Sequence, residues 1–244
     1  MRVNLSGYVC SDSDQEVYDW FGVRAFSPAM VRDAIANNPA GEELVFEINS
    51  GGGSVFAGSE MYTVLRSAEG VRTRAEIQSL AASAASYLCL GCDEVLISPV
   101  AQMMIHLPST WTAGDRNDHL ESVQMLDATR EAILNAYELK AGDKADRAEF
   151  RRMMTSTTWM TAQMAVEKGL ADGIMFQDTV VPENVMNAVG SGIRALGEAG
   201  GMPDIVQMRA EFRKHKQAET GGAPAADNRS WQAEARLALE KIRF

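Results

Sequence analysis

An α/β fold, with strands and helices alternating over roughly the first three quarters of the chain and a tail of different character behind it, is predicted by three observations. Short apolar runs alternate with stretches of helical periodicity, and glycine- or serine-bearing turns stand at the strand-to-helix junctions. From Pro182 onward the composition shifts to Gly and Ala with scattered polar residues. With 244 residues and 46% apolar content, the chain is long enough for one sizeable domain plus an appendage. Residues 1–181 are expected to form the domain and residues 182–244 a linker and amphipathic tail.

In chain order, Val3 to Val9 reads as a strand, and Ser27-Pro28 as an N-cap with proline at the first helical position, opening a helix through Ala36. Leu44 to Ile48 is a buried strand; a glycine loop follows, and then Val55, Gly58, Ser59, Tyr62 and Leu65 share one helix face. Thr73, Ala75 and Ile77 alternate as a strand leading to Ser83, after which Ala84 to Leu90 reads as a helix ended by Gly91. Glu94 to Ser98 and Gln102 to Ile105 are two short strands separated by Pro99, so His106 falls where a strand runs out into loop. A long helix is expected over Asn117 to Ala141, with Leu120, Val123, Ile133, Leu134 and Tyr137 on its buried side. Arg147 to Met154 is a further helix. Thr161 caps a short one, Ala162 to Lys168, closed by Gly169 before Leu170 to Ile174 turns back toward a strand. In the tail, Pro203 to Gln217 and Ser230 to Phe244 can each form an amphipathic helix that docks on a partner or on the body.

The net charge of -10 argues against nonspecific binding to nucleic acid or acidic membranes and favours protein partners. The tail from Gly201 carries 8 Lys+Arg against 6 Asp+Glu, leaving 15 against 27 in the rest, so the acidity belongs to the body. The first residues lack the apolar run of a signal peptide, and no later stretch reaches the roughly 18 apolar residues of a membrane helix, so a cytosolic protein is expected. Cys10, Cys89 and Cys92 are an odd set with no disulfide spacing; Cys89 and Cys92 lack the further ligands that zinc requires and read as small core residues. No metal or cofactor is expected.

The candidate chemistry is nucleophilic. A serine hydroxyl attacks only if a base removes its proton, and Ser83 stands at a helix N-terminus whose dipole favours developing negative charge. His106 is the candidate base because imidazole titrates near neutrality, whereas His119 lies in a charge-rich helical run and His215 in the basic tail. Gly51-Gly52-Gly53, behind a buried strand, can present backbone N–H groups to an oxyanion and lacks the GxxxxGK pattern of a phosphate loop.

Three segments, Ile48-Asn49-Ser50-Gly51-Gly52-Gly53-Ser54-Val55, Leu80-Ala81-Ala82-Ser83-Ala84-Ala85 and Met104-Ile105-His106-Leu107-Pro108, occur in the order found in the Clp protease proteolytic subunit family. From Val3 to Ile174 the chain resembles that serine peptidase family, and Thr158-Trp159-Met160-Thr161-Ala162 looks most like its phage branch, the head maturation proteases. The resemblance implies a spiral β-α fold of the Clp and crotonase kind. It implies Ser83 as nucleophile, His106 as general base, and the Gly52 and Ala84 amides as oxyanion hole. It further implies homo-oligomeric rings and, in the phage branch, capsid and scaffold proteins cleaved inside heads assembling in a bacterial host cytoplasm. There is no ATPase motif here, and no separate ATPase is expected to be required.

One departure matters. Aligning Trp159-Met160-Thr161-Ala162 with the family places Thr157 where an Asp or Glu normally orients the histidine. Thr157 could accept the His106 Nδ1 hydrogen without supplying charge, and Asp115, Asp118 and Asp172 are candidate substitutes. Gly51 in place of the usual proline, and Ala84-Ala85 after the serine, are mild departures that remove no backbone donor. The expected function is a serine endopeptidase of the phage kind that cleaves scaffold and capsid proteins and its own tail. A catalytically silent scaffold or assembly protein is the alternative. A crotonase-type acyl-CoA enzyme is a remote third, since it would leave Ser83 and His106 without a role.

Overall fold

The computed structural model describes residues 1–176 and 204–220 of the chain. The expected α/β architecture is present as an eight-stranded sheet in the order β2-β1-β3-β4-β5-β8, with β6 branching from β4 and β7 pairing β6. The strands are β1 (Arg2–Val9), β2 (Ala25–Phe26), β3 (Leu44–Gly53), β4 (Thr73–Ala82), β5 (Glu94–Ile97), β6 (Gln102–Ile105), β7 (Thr158–Thr161) and β8 (Gly173–Ile174). The helices are α1 (Asp12–Trp20), α2 (Pro28–Ala36), α3 (Val55–Arg66), α4 (Ala84–Leu88), α5 (Arg116–Ala141), α6 (Arg147–Thr155), α7 (Ala162–Glu167) and α8 (Ile205–Thr220).

The central strands alternate, turning one row of apolar side chains into the core while Glu47, Arg74 and Glu94 stand between them, part-exposed. Leu44, Phe46, Ile48, Ala75, Ile77, Val95 and Ile97 are all fully buried. β3 is parallel to β1 and β4, and β5 is parallel to β4 and β8. The arrangement that matters for the site is a fork in β4. Its first half, Arg74 to Ile77, pairs with β5, while Leu80 to Ala82 pairs with Gln102 to Met104 of β6. Changing partners midway brings the ends of β4 and β6 side by side.

Several expectations are corrected in detail. β3 continues through the glycine loop to Gly53 instead of ending at Ile48. Gly53 there lies so close to β1 that a Cβ would stand 2.2 Å from the Val9 carbonyl oxygen, so only glycine lets the two backbones meet. Ser27 holds the N-cap position of α2 without a side-chain cap bond; Asp12 Oδ1 accepts from the Ala29 N–H instead, at 2.7 Å. The helix after Ser83 is α-helical only to Leu88 and tightens into a 3-10 turn over Cys89–Gly91. In α5, Ile133, Leu134 and Tyr137 are buried, but Leu120 and Val123 are 43% and 53% exposed. The N-terminal half of that helix lies beyond the core, held at its start by an Asp115/Asp118 capping box. α1 and β7 had no counterpart in the sequence-based expectation.

The chain divides into two compact units, one of Met1–Asp12 with Phe26–Phe176, the other of Ser13–Ala25 with Gln177–Phe244. In the first lie the sheet and its covering helices. In the second, the Arg209 guanidinium of α8 forks onto both Asp14 oxygens at 2.6 and 2.7 Å, and the Phe212 ring meets Trp20 with centroids 5.8 Å apart. The expected helix over Pro203 to Gln217 is thus α8, shifted by a few residues. The expected boundary at residue 181 and the second amphipathic piece, Ser230 to Phe244, lie outside the described residues.

Candidate active site

Ser83 follows the last residue of β4, and its N–H donates to the Met104 carbonyl of β6 at 2.9 Å. Its backbone has φ 53° and ψ -123°, a conformation that costs a side-chain-bearing residue of order 1–3 kcal/mol and tends to persist where surrounding structure enforces it. The sharp turn throws the side chain out of the sheet. Ser83 occupies the N-cap position of α4, yet its hydroxyl does not cap that helix, whereas Ser54 and Thr161 at equivalent positions accept from the Ala57 and Met164 N–H groups. The Ser83 Oγ is instead hydrogen-bonded to His106 Nε2 at 2.8 Å.

His106 stands one residue beyond β6, so the β4 fork is what carries a side chain 23 positions later to the serine. Burial pushes the imidazole below its usual value, which keeps it neutral and able to accept a proton. Val55, Ala84, Tyr87, Pro108, Ile133 and Tyr137 line a small pocket around the pair. Both tyrosine hydroxyls are engaged: Tyr87 donates to the Val55 carbonyl at 2.8 Å, and Tyr137 lies 2.6 Å from Ser86 Oγ. Burial pushes Tyr87 up to about 12 and Tyr137 higher still, so both are neutral at physiological pH.

Gly52 and Ala84 are brought together. Gly52 has φ +97°, and a Cβ on it would sit 2.7 Å from the Ala82 carbonyl oxygen and 3.0 Å from Ala84 N. As the first helical residue of α4, Ala84 has no intrahelical acceptor for its N–H. The Gly52 N–H is not vacant, since it donates to Ser50 Oγ at 3.0 Å while that hydroxyl donates to the Gly7 carbonyl at 2.6 Å. An oxyanion must therefore draw the Gly52 amide from Ser50.

Thr157 and His106 each lie one residue beyond the last pair of the antiparallel β6–β7 ladder, Thr158 and Ile105. No hydrogen bond joins their side chains. Thr157 is exposed, with φ 50°, and among the described residues only its N–H is engaged, to the Met154 carbonyl at 3.2 Å. The substitute acids are committed elsewhere. Asp115 and Asp118 cap α5, and one Asp172 oxygen accepts from both Val95 N–H and Lys140 Nζ. Among the described residues no side chain is hydrogen-bonded to His106 Nδ1.

Cys10, Cys89 and Cys92 are buried thiols, Cys10 donating to the Phe26 carbonyl at 3.5 Å, and burial pushes Cys89 up to about 12. Ser50, Ser86 and Tyr137 are the polar residues of the site that reading the sequence missed. The spacing of Ser86 from Ser83, one helical turn, was the available signal for one of them; a tyrosine more than fifty residues away on α5 carries none.

The family model described as Clp protease matches residues 34–178, more than half of the chain. The chain is 34% identical over 146 residues to the ATP-dependent Clp protease proteolytic subunit 1 of Chlamydia abortus, covering 57% of this chain and 72% of that protein. The protein of the same description from Chlamydia muridarum is 33% identical over 56% of this chain and 71% of its own length. The one from Frankia casuarinae is 26% identical over 64% and 78%.

Proposed function

The chain belongs to the Clp protease family, and on that premise we propose that it is a serine endopeptidase in which Ser83 is the nucleophile and His106 the general base. The observation that supports this best is the 2.8 Å Oγ–Nε2 hydrogen bond from a serine held in a strained turn. His106 Nε2 takes the Ser83 proton as Oγ attacks the scissile carbonyl, and the Ala84 and Gly52 amides receive the oxyanion. The imidazolium then protonates the leaving amine, and water, activated by the same nitrogen, releases the acyl group. Without a carboxylate behind His106, the imidazolium gains only solvent stabilisation, so the dyad is slow.

The relatives are described as proteolytic subunits of a protease, and a homo-oligomeric ring is part of the proposal. The finer assignment is to the phage branch: a head maturation protease acting on capsid and scaffold proteins, and on its own tail, inside heads assembling in a bacterial host cytoplasm. The segment Thr158-Trp159-Met160-Thr161-Ala162 and the long linker-bearing tail support it. The second reading is a silent scaffold, favoured by Thr157 alone. Prolonged incubation with an unfolded bystander such as casein tests the reading: fragments from the wild type and none from Ser83→Ala establish the peptidase, and intact casein in both counts against it.

The acid limb of the activity should report His106. Only neutral imidazole is a base, and burial disfavours its charged form, so the rate should be half-maximal below pH 6.5 and level off as the pH rises past the midpoint. A pH profile of Ser83 phosphonylation checks this; a midpoint above 6.5 would mean that an anionic group faces the imidazole.

A further inference from the structure

The Ser83 carbonyl and the Ala84 N–H belong to one peptide unit. No cis bond occurs in the described chain, so the two point in opposite directions and fixing one fixes the other. The carbonyl receives two hydrogen bonds from a single residue, Ser86 N–H at 2.9 Å and Ser86 Oγ at 2.6 Å. Because that hydroxyl spends its proton on Ser83, the Tyr137 hydroxyl, 2.6 Å away, must be the donor to Ser86 Oγ. Both side chains are buried, Ser86 at 0% and Tyr137 at 1% exposure, and Tyr137 stacks at 5.6 Å on the buried Phe150 ring.

We propose that the Tyr137–Ser86 hydroxyl pair locks the Ser83–Ala84 peptide with its N–H turned toward Gly52, making both residues positioning residues for the oxyanion hole. This rests on the serine-peptidase reading. The strained turn at Ser83 needs such a lock, since a peptide next to a residue at φ 53° relaxes by rotating when its carbonyl is unpinned. One wall of the substrate pocket, Tyr137, is thereby wired to the amide that receives the reacting oxygen. The Ser86 N–H bond remains in any side-chain variant, so losing the hydroxyl chain loosens the peptide without releasing it.

The test is the rate of phosphonylation of full-length protein by a fluorophosphonate, measured at saturation for wild type, Tyr137→Phe, Ser86→Ala and the double variant, beside their melting temperatures. Each single variant should lose about five- to tenfold in the maximal labelling rate, with half-saturating probe concentration and pH midpoint unchanged, and the double should be no slower than either. Stability should follow a different order. Ser86→Ala strands a buried tyrosine hydroxyl and lowers the melting temperature, while the double variant removes both partners and recovers it. Labelling rates that recover with the melting temperature, or that equal the wild type throughout, overturn the proposal. Wild-type protein that is not labelled at Ser83 overturns the peptidase reading and this inference with it, whereas labelled wild type with unaffected variants overturns the inference alone.

Discussion

Thr157→Asp should raise the peptidase activity, with a ceiling of about four orders of magnitude set by what neutralising the corresponding acid removes from a serine protease triad. Thr157 and His106 flank the last pair of the β6–β7 ladder, and Thr157 contributes no hydrogen bond to the imidazole among the described residues. A carboxylate there can accept from Nδ1–H, hold the tautomer that leaves Nε2 free to take the serine proton, and stabilise the imidazolium once formed. The same substitution should also stabilise the fold. Threonine is β-branched and sits at φ 50°, a region where aspartate and asparagine are tolerated far better, so relief of about 1 kcal/mol is expected. Thr157→Asn separates the effects, since it should gain the stability and none of the rate. The nearby negative charge should move the acid limb upward in Thr157→Asp, because it favours protonated His106. Comparing kcat/KM, melting temperature and pH profile across the three proteins checks all of this. A stabilised Thr157→Asp with unchanged rate would show that this position does not reach the imidazole.

Gly52→Ala should cost about two to three orders of magnitude in kcat, the loss expected when an oxyanion donor is displaced. Its Cβ would stand 2.7 Å from both the Ala82 carbonyl oxygen and Ser83 Cβ, and φ +97° is strained for any side chain. None of those atoms is the end of a flexible side chain, so the end of β3 or the Ser83 turn must move. Destabilisation of about 2–3 kcal/mol should accompany the loss, combining left-handed backbone strain with overpacking. Gly51→Ala is the matched control. Nothing lies within 4 Å of a Cβ at Gly51 and its φ is not positive, so activity and melting temperature should stay near wild type. Steady-state kinetics beside thermal melts of the two variants checks the contrast; equal behaviour would dissociate the glycine backbone from the site.

The parts of this site legible in the sequence are those carried by local chemistry. A serine at the end of an alternating strand, a histidine where another strand runs out and a glycine run behind a third could each be placed without coordinates, and the structure brings Ser83, His106, Gly52 and Ala84 together. What stayed hidden depends on pairing between distant segments. The β4 fork is invisible to periodicity because the pattern of one strand does not say which strand pairs with each half, and β7 reads as part of a helix cap until β6 is beside it. Leu120 and Val123 have the right spacing for a buried face, but burial needs something to pack against, and α5 runs past the core before reaching them. Asp115, Asp118 and Asp172 were plausible acids by proximity in sequence; a carboxylate already capping a helix or bound to Lys140 is not available to a histidine. Likewise, Gly52 promised a free amide until Ser50 was found holding it.

The central claim, an activated Ser83 supported by His106 alone, is tested most directly by the intact mass of the full chain after exposure to a fluorophosphonate, run beside Ser83→Ala and His106→Ala. The account predicts one adduct on the wild type, none on Ser83→Ala, and labelling slowed at least tenfold in His106→Ala, as expected when a general base is removed. A wild type without an adduct, or one carrying it equally in Ser83→Ala, would contradict it.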